Sequence, residues 1–274
     1  MAPWSVLWRI VLTVACAVAL PGAARAAETV DVALVLAVDV SLSMSPDELE
    51  IQRHGYAAAL SDNQVIEAIL DGANGRIAVT YVEWAGIHTQ RIIVPWTIIA
   101  SKTDADAFSR KLNLEVPRSA RRTSISSGIL FATDLFAESG LSAVKRVIDV
   151  SGDGPNNEGG PVTEARDRAV AQGIVINGLP LMTNSGYIST YDLKDLDKYY
   201  ANCVIGGPGS FMVPVNDWEQ FPVAVRRKLV QELAGPALPE RAGRVIMKVA
   251  AKPGYDCLVG EEMWGGSPWN LDTK

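Results

Sequence analysis

The stretch VDVALVLAVDVSLS, Val30 to Ser43, decides the fold. Its first nine residues, Val30 to Val38, form a near-continuous apolar run interrupted only by Asp31. A strand with one wet face alternates apolar and polar residues. A run this uniform predicts a strand covered on both faces, as in a parallel sheet with helices above and below. The run ends abruptly in oxygen-bearing side chains at Asp39, Ser41 and Ser43. A helix start follows: Ser45 as N-cap, Pro46 at the first helical position and Glu48 to complete a capping box.

Outward from that point, strand and helix patterns alternate. The first helix runs to about Leu60, with a continuation through Val65 to Leu70 left open, and Gly72 and Gly75 end it. Arg76 to Trp84 and Thr89 to Ile98 are strands. The loop between them, Ala85 to His88, is too short for a parallel crossover, so they pair antiparallel. Thr103 to Leu114 and Thr123 to Ala137 are helices, Lys145 to Val150 is a strand, and Val162 to Gln172 is a helix. Ile174 to Leu181 is a strand, Asp192 to Tyr200 a helix, Phe211 to Val215 a short last strand and Trp218 to Leu233 a closing helix. The expected fold class is α/β: a doubly wound, mostly parallel sheet with one antiparallel edge strand and helices on both faces.

The termini read differently. Residues 1–26 have the form of an export signal: Arg9, an apolar run from Ile10 to Leu20, the breakers Pro21 and Gly22, and Ala24-Arg25-Ala26 for cleavage. The run is too short to span a bilayer, and the residues before Cys16 fit a lipid-attachment signal poorly. The expected domain spans 27–235. From Pro236 the chain is rich in Pro and Gly, with Val245 to Ala250 its one strand-like run, and 236–274 is expected to be an extension packed on the domain.

Composition narrows the function. A hydrophobic fraction of 48% supports a sizeable core, so disorder is excluded for the bulk of the chain. Loss of Arg9 and Arg25 with the signal moves the net charge from −6 to −8, which argues against nucleic acid as a partner. Export leaves two cysteines, Cys203 and Cys257, and an oxidising compartment suggests that they form one disulfide. The chain is expected to be periplasmic or secreted, with no membrane span after cleavage.

Three polar segments fall at strand or helix ends, where open α/β sheets bind ligands. They carry Asp39, Ser41 and Ser43; Thr123; and Asp153 with Gly154. Two carboxylates and three hydroxyls, with no histidine or thiol nearby, suit Mg²⁺, with Mn²⁺ or Ca²⁺ able to substitute. Two carboxylates leave such an ion under-neutralised and attractive to a partner's acid. Arg121 and Arg122 precede Thr123 and could draw an acidic partner to the rim. Asn156 and Asn157, in the loop after Asp153, and Thr183 to Tyr187 are further rim candidates. Asp149 stands in an apolar strand as a candidate buried, hydrogen-bonded carboxylate, and Trp84 is read as core. His54 and His88 lack a Gly-x-Ser-x-Gly elbow to serve, and no phosphate loop is present. No catalytic constellation emerges beyond the two aspartates. A hydrolase using a metal-activated water is the alternative to a binding module.

Asp-x-Ser-x-Ser at Asp39, Ser41 and Ser43, a threonine opening a helix at Thr123, and Asp-Gly at Asp153 and Gly154 together resemble the von Willebrand factor A family over Val30 to Gly235. The resemblance implies a metal-ion-dependent adhesion site. There the serines and the threonine give hydroxyls to the ion, the aspartates act directly or through water, and a partner's Asp or Glu completes the shell. Two departures stand out: Gly152 where many members have threonine, and Leu42 where many have glycine. The tail and the stretch from Tyr199 to Gly209 resemble the DUF1194 group of exported bacterial proteins.

Overall fold

The computed structural model describes residues 28–114, 116–183, 193–233 and 254–265. The expected export signal, the strand-like run from Val245 to Ala250 and the loop residues 184–187 lie outside the described residues.

The central strand β1 (Thr29–Asp39) is buried along almost its whole length. Its side chains divide by period two: Leu34, Leu36 and Val38 enter one core, and Ala33, Val35 and Ala37 enter the other. Two separate cores demand a layer on each face, which explains the uninterrupted apolar run. Strands β2 (Ile77–Trp84), β3 (Gln90–Ile99), β4 (Ser142–Gly152) and β5 (Ile174–Pro180) complete a sheet of order β3-β2-β1-β4-β5. β1 pairs parallel with β2 and with β4, β4 pairs parallel with β5, and only the β2–β3 edge is antiparallel. The chain leaves β1 toward β2 and β3, then returns to β1's other side as β4. The crevice where the order reverses therefore opens between the carboxyl ends of β1 and β4. Asp39 ends the first of these strands and Asp153 follows the second.

Helix α1 (Pro46–Leu60) begins with the expected capping box: the Glu48 amide donates to Ser45 Oγ and the Ser45 amide to Glu48 Oε2. It does not continue to Leu70. Asp62 takes an extended backbone and its side chain accepts from the Gln64 amide at 2.8 Å, which starts a separate helix, α2 (Asn63–Leu70). The remaining helices are α3 (Lys102–Leu114), α4 (Ile125–Glu138), α5 (Val162–Ala171), the single turn α6 (Leu196–Tyr199), α7 (Phe221–Leu233) and α8 (Val259–Gly265). α6 passes into a wide π turn over Tyr200–Val204, beyond Tyr200 where the expected helix ended. A short 3₁₀ turn, Trp218–Gln220, leads into α7.

The segment expected as a last strand, Phe211 to Val215, runs beside β5 through isolated parallel bridges at Met212 and Val215. Gly178 and Met182 donate to Phe211 and Val215, and Val213 and Val215 donate back, but Pro180 of β5 has no amide for the rung to the Val213 carbonyl, so the ladder is broken there. The segment nonetheless covers the β5 edge.

Asp149 is buried on β4, as expected, and its partner is an ion. Lys228 of α7, itself buried, lies 2.5 Å from Asp149 Oδ1 and also contacts Glu232. Asn177 Nδ2 donates to Glu232 at 2.9 Å. Two fully buried acids share one fully buried ammonium, and the half-buried Lys145 donates to the Glu232 carbonyl at 3.2 Å from the rim of the cluster. Burial, only partly offset by Lys228 and reinforced by Glu232, raises Asp149 to about 7. The folded value lies above the ordinary carboxylate value, so protonation favours the folded state. Stability from this group is complete below about pH 4 and is lost as pH rises toward about 7.

Asp149→Asn should therefore flatten the fall in stability between about pH 4 and pH 7, read by urea unfolding at stepped pH, because it leaves a neutral Lys228–Glu232 pair. Lys228→Met should instead cost about 3–5 kcal/mol at neutral pH, because it strands two buried acids.

Candidate functional site

The site begins where β1 stops. Asp39 is fully buried. Its Oδ1 accepts from the Ser41 amide at 2.7 Å, and its carbonyl accepts from Gln52 Nε2 of α1 at 2.9 Å. These bonds fold the chain sharply after the strand and direct Ser41 and Ser43 to the same side. Ser41 Oγ and Ser43 Oγ lie 2.9 Å apart, and Ser43 Oγ donates to Asp153 Oδ1 at 2.8 Å. A hydroxyl relay thus joins the loop after β1 to the loop after β4 across 110 residues of sequence.

Thr123 arrives by backbone pairing. The Leu42 amide donates to the Ala120 carbonyl and the Ala120 amide to the Val40 carbonyl, each at 2.9 Å. This short bridge lays Arg121, Arg122 and Thr123 alongside the first loop. Thr123 does not itself open the helix. Ser124 is the N-cap, accepting from the Ser127 amide, and α4 begins at Ile125. Thr123 is held instead by Asn157: its amide donates to Asn157 Oδ1 at 2.9 Å, and its carbonyl accepts from the Asn157 amide at 2.8 Å. α4 approaches closely because Gly128 stands over the buried Trp84 ring, where a Cβ would meet the indole at 3.0 Å.

Ser41, Ser43, Thr123 and Asp153 line one cleft of about 260 Å³, with Leu42, Arg121, Arg122, Asn157 and Trp264 also on its walls. Four of the five expected ligand residues therefore share that cleft, and Asp39 lies beneath it. Asn156, expected at the rim, is fully buried. It works as a pin: its Oδ1 accepts from the Ser126 amide, its own amide donates to the Tyr199 hydroxyl, and its Nδ2 donates to Glu261 at 2.7 Å. The carboxamide accepts and donates the first and last of these bonds, and the main-chain amide makes the one to Tyr199.

The electrostatics are those of an incomplete site. Asp39 Oδ2 is buried and has no hydrogen-bond partner. Burial, and then the charge of Asp153, raise the Asp39 carboxyl well above the usual carboxylate range, against the opposing hydrogen bonds from Ser41 and Asp153. An orphaned buried carboxylate oxygen is costly. A divalent cation would satisfy it and relieve the repulsion between the two aspartates, so the donor set fits the ion expected from the sequence. Among the described residues no group of three or more His, Cys, Asp or Glu side chains gathers, at this cleft or elsewhere; the donors here are two carboxylates and three hydroxyls.

The departure at Gly152 has a steric cause here. A Cβ at that position would lie 2.9 Å from Asp39 Oδ2 and 3.0 Å from the Tyr200 hydroxyl. Tyr200, delivered by the π turn, fills the space that a threonine side chain would need. Leu42, the other departure, projects into solvent beside the cleft.

The sequence pointed to the Cys203–Cys257 pair and to a packed C-terminal extension, but not to Trp264 on the wall of the cleft. Cys203, in the π turn, is bonded to Cys257, 54 positions further along the sequence, with Cα atoms 5.6 Å apart. This tether sets α8 against the site. Gly260 packs on the Asn156 carbonyl so tightly that a Cβ would be 2.0 Å from the oxygen. Trp264 lies under the Arg122 guanidinium, 4.7 Å from the ring centroid. Arg122 is the only non-glycine among the described residues with positive φ, at 71°. Backbone held in that region is costly and marks positions where side-chain direction matters. No local signal announces Trp264, because its partner is 142 residues away along the chain.

Opening the Cys203–Cys257 bond should cost up to about 4 kcal/mol in unfolding free energy, from loop-closure entropy over that span, read by comparing urea unfolding of the oxidised protein and its Cys257→Ser variant.

Comparison with solved structures supports the fold. Proximal thread matrix protein 1 from the mussel byssus superposes with a TM-score of 0.52 at 15% identity, over 76% of this chain and 49% of that one. The form of it with a zinc-occupied MIDAS motif gives a TM-score of 0.51. The pilus adhesin SpaC from Lactobacillus rhamnosus GG gives 0.53 at 12% identity, over 74% of this chain and 30% of that one. The chain spans about half the length of the mussel protein, and at these identities the likeness is one of fold. No curated protein matches in sequence. The family described as protein of unknown function DUF1194 matches residues 29–237, and the chain belongs to it.

Proposed function

We propose that this chain is an exported binding module that captures an acidic group of a protein partner through a divalent cation held by Asp39, Ser41, Ser43, Thr123 and Asp153. One observation carries the reading. A fully buried carboxylate, with one oxygen unpartnered, lies beneath a cleft lined by three hydroxyl side chains and a second carboxylate. A structural role would satisfy that oxygen. A cation-binding role leaves it open.

Oxygen donors alone favour Mg²⁺, with Mn²⁺ and Ca²⁺ as substitutes. Zinc belongs in any test, since the mussel protein's motif has been seen with zinc. Two carboxylates leave a divalent ion electron-poor, and a partner's Asp or Glu is the natural further ligand. The mussel protein is a thread matrix component and SpaC is an adhesin, and both descriptions are compatible with attachment. The disulfide between Cys203 and Cys257 supports a periplasmic or secreted location. No described helix is long and apolar enough to cross a membrane. For a metal-dependent hydrolase, the described residues bring no histidine to the cleft, and the two aspartates are already committed to the ion.

Calorimetric titration with Mg²⁺ should show one site per chain. Ser41→Ala should weaken binding at least about tenfold, because it removes a hydroxyl at the ion itself. Affinity capture from the exported fraction should lose its partner with EDTA and regain it with Mg²⁺. Partner capture indifferent to EDTA would overturn the proposal.

A further inference from the structure

The captured acid does not arrive at a flat face. It enters a cleft of about 260 Å³ whose walls carry charge and apolar surface as well as the ion-binding hydroxyls. Two arginines line it, and they are not equivalent. The Arg122 guanidinium lies over the Trp264 ring and its backbone is fixed in the left-handed region, so its charge serves the wall. That wall is held from behind by the Cys203–Cys257 bond and by the Glu261–Asn156 hydrogen bond.

Arg121 differs. It is exposed and lines the same cleft, and among the described residues its guanidinium makes no hydrogen bond or ion pair. The Leu42–Ala120 backbone bond fixes the chain immediately before it, so its root is held beside the ion-binding loop. Leu42, exposed next to that bond, offers apolar surface but no competing charge.

Resting on the cation-binding reading above, we propose that the partner element is a doubly acidic segment: one carboxylate completes the ion's shell while a neighbouring carboxylate pairs with Arg121 in the same cleft. The charges carry this assignment. The ion accounts for a single acid. A cation beside it, free of internal partners and rooted on a rigid bridge, then favours a second anionic group at short spacing. A partly exposed ion pair of this kind contributes modestly, up to about fivefold in affinity. It acts on selectivity and association rate more than on strength.

The test uses the oxidised, Mg²⁺-loaded protein and two blocked synthetic pentapeptides of glycine. One carries a single aspartate and the other carries two, separated by one glycine. Immobilised peptides are titrated with wild-type protein and with Arg121→Gln, whose exposed position leaves the fold intact, and each is repeated with EDTA. Two acids can each reach the ion, so a twofold preference for the second peptide is statistical. The expected result is a preference of about tenfold in wild type, falling to about twofold in Arg121→Gln. A wild-type preference of only twofold, or a preference untouched by Arg121→Gln, would overturn the inference and leave the cation site standing. Absence of any EDTA-sensitive binding of the single-acid peptide would overturn both.

Discussion

A carboxylate buried at the end of a central strand is the constraint around which this molecule is organised. Asp39 sits at the carboxyl end of β1, out of solvent, with one oxygen unpartnered and another acid close by. Left to itself such a group destabilises the fold. The surrounding architecture holds it there regardless. Gln52 fixes its carbonyl, the Ser41 amide fixes Oδ1, and Gly152 and Tyr200 fill the space behind. Sheet order makes the position available, because the reversal of strand order between β1 and β4 opens the crevice there.

Three long-range connections then complete the cleft. A backbone bridge at Ala120 brings Thr123 alongside the first loop, the Ser43–Asp153 hydrogen bond closes the second, and the Cys203–Cys257 bond docks α8 as an outer wall. Each works through a different interaction, and each uses residues far apart in the chain. Asn156 ties two of them together by bonding both the start of α4 and Glu261 of α8. Rigid support of this kind is what a metal site needs, since ligand positions off by a fraction of an ångström cost affinity.

Much of this was legible in the sequence where the physics is local. The unbroken apolar run from Val30 to Val38 implied a strand covered on both faces. Ser45, Pro46 and Glu48 implied the start of α1, and the short loop from Ala85 to His88 implied the antiparallel edge. What escaped depends on distant partners or on a single competing bond. The Asp62 side chain stops α1 and starts α2 with one hydrogen bond. Pro180 of β5, lacking an amide for the Val213 carbonyl, leaves an apolar stretch that reads as a strand as isolated bridges. Asn156 has the composition of a loop residue, yet it is buried because α4, α6 and α8 converge on it. Tyr200 and Trp264 reach the site through a π turn and a disulfide-tethered helix, and periodicity encodes neither.

Thermal unfolding of wild type and Asp39→Asn, each with and without saturating Mg²⁺, separates a carboxylate kept for an ion from one kept for the fold. A ligand bound only by the folded state raises stability by mass action, about 2.7 kcal/mol at a hundredfold excess over the dissociation constant. The expected result is that Mg²⁺ raises the wild-type midpoint and leaves Asp39→Asn unmoved, while the metal-free variant is at least as stable as wild type because a buried charge has been removed. A metal-free variant that unfolds several degrees below wild type, together with a wild-type midpoint indifferent to Mg²⁺, Mn²⁺, Ca²⁺ and Zn²⁺, would contradict it and make Asp39 a structural residue.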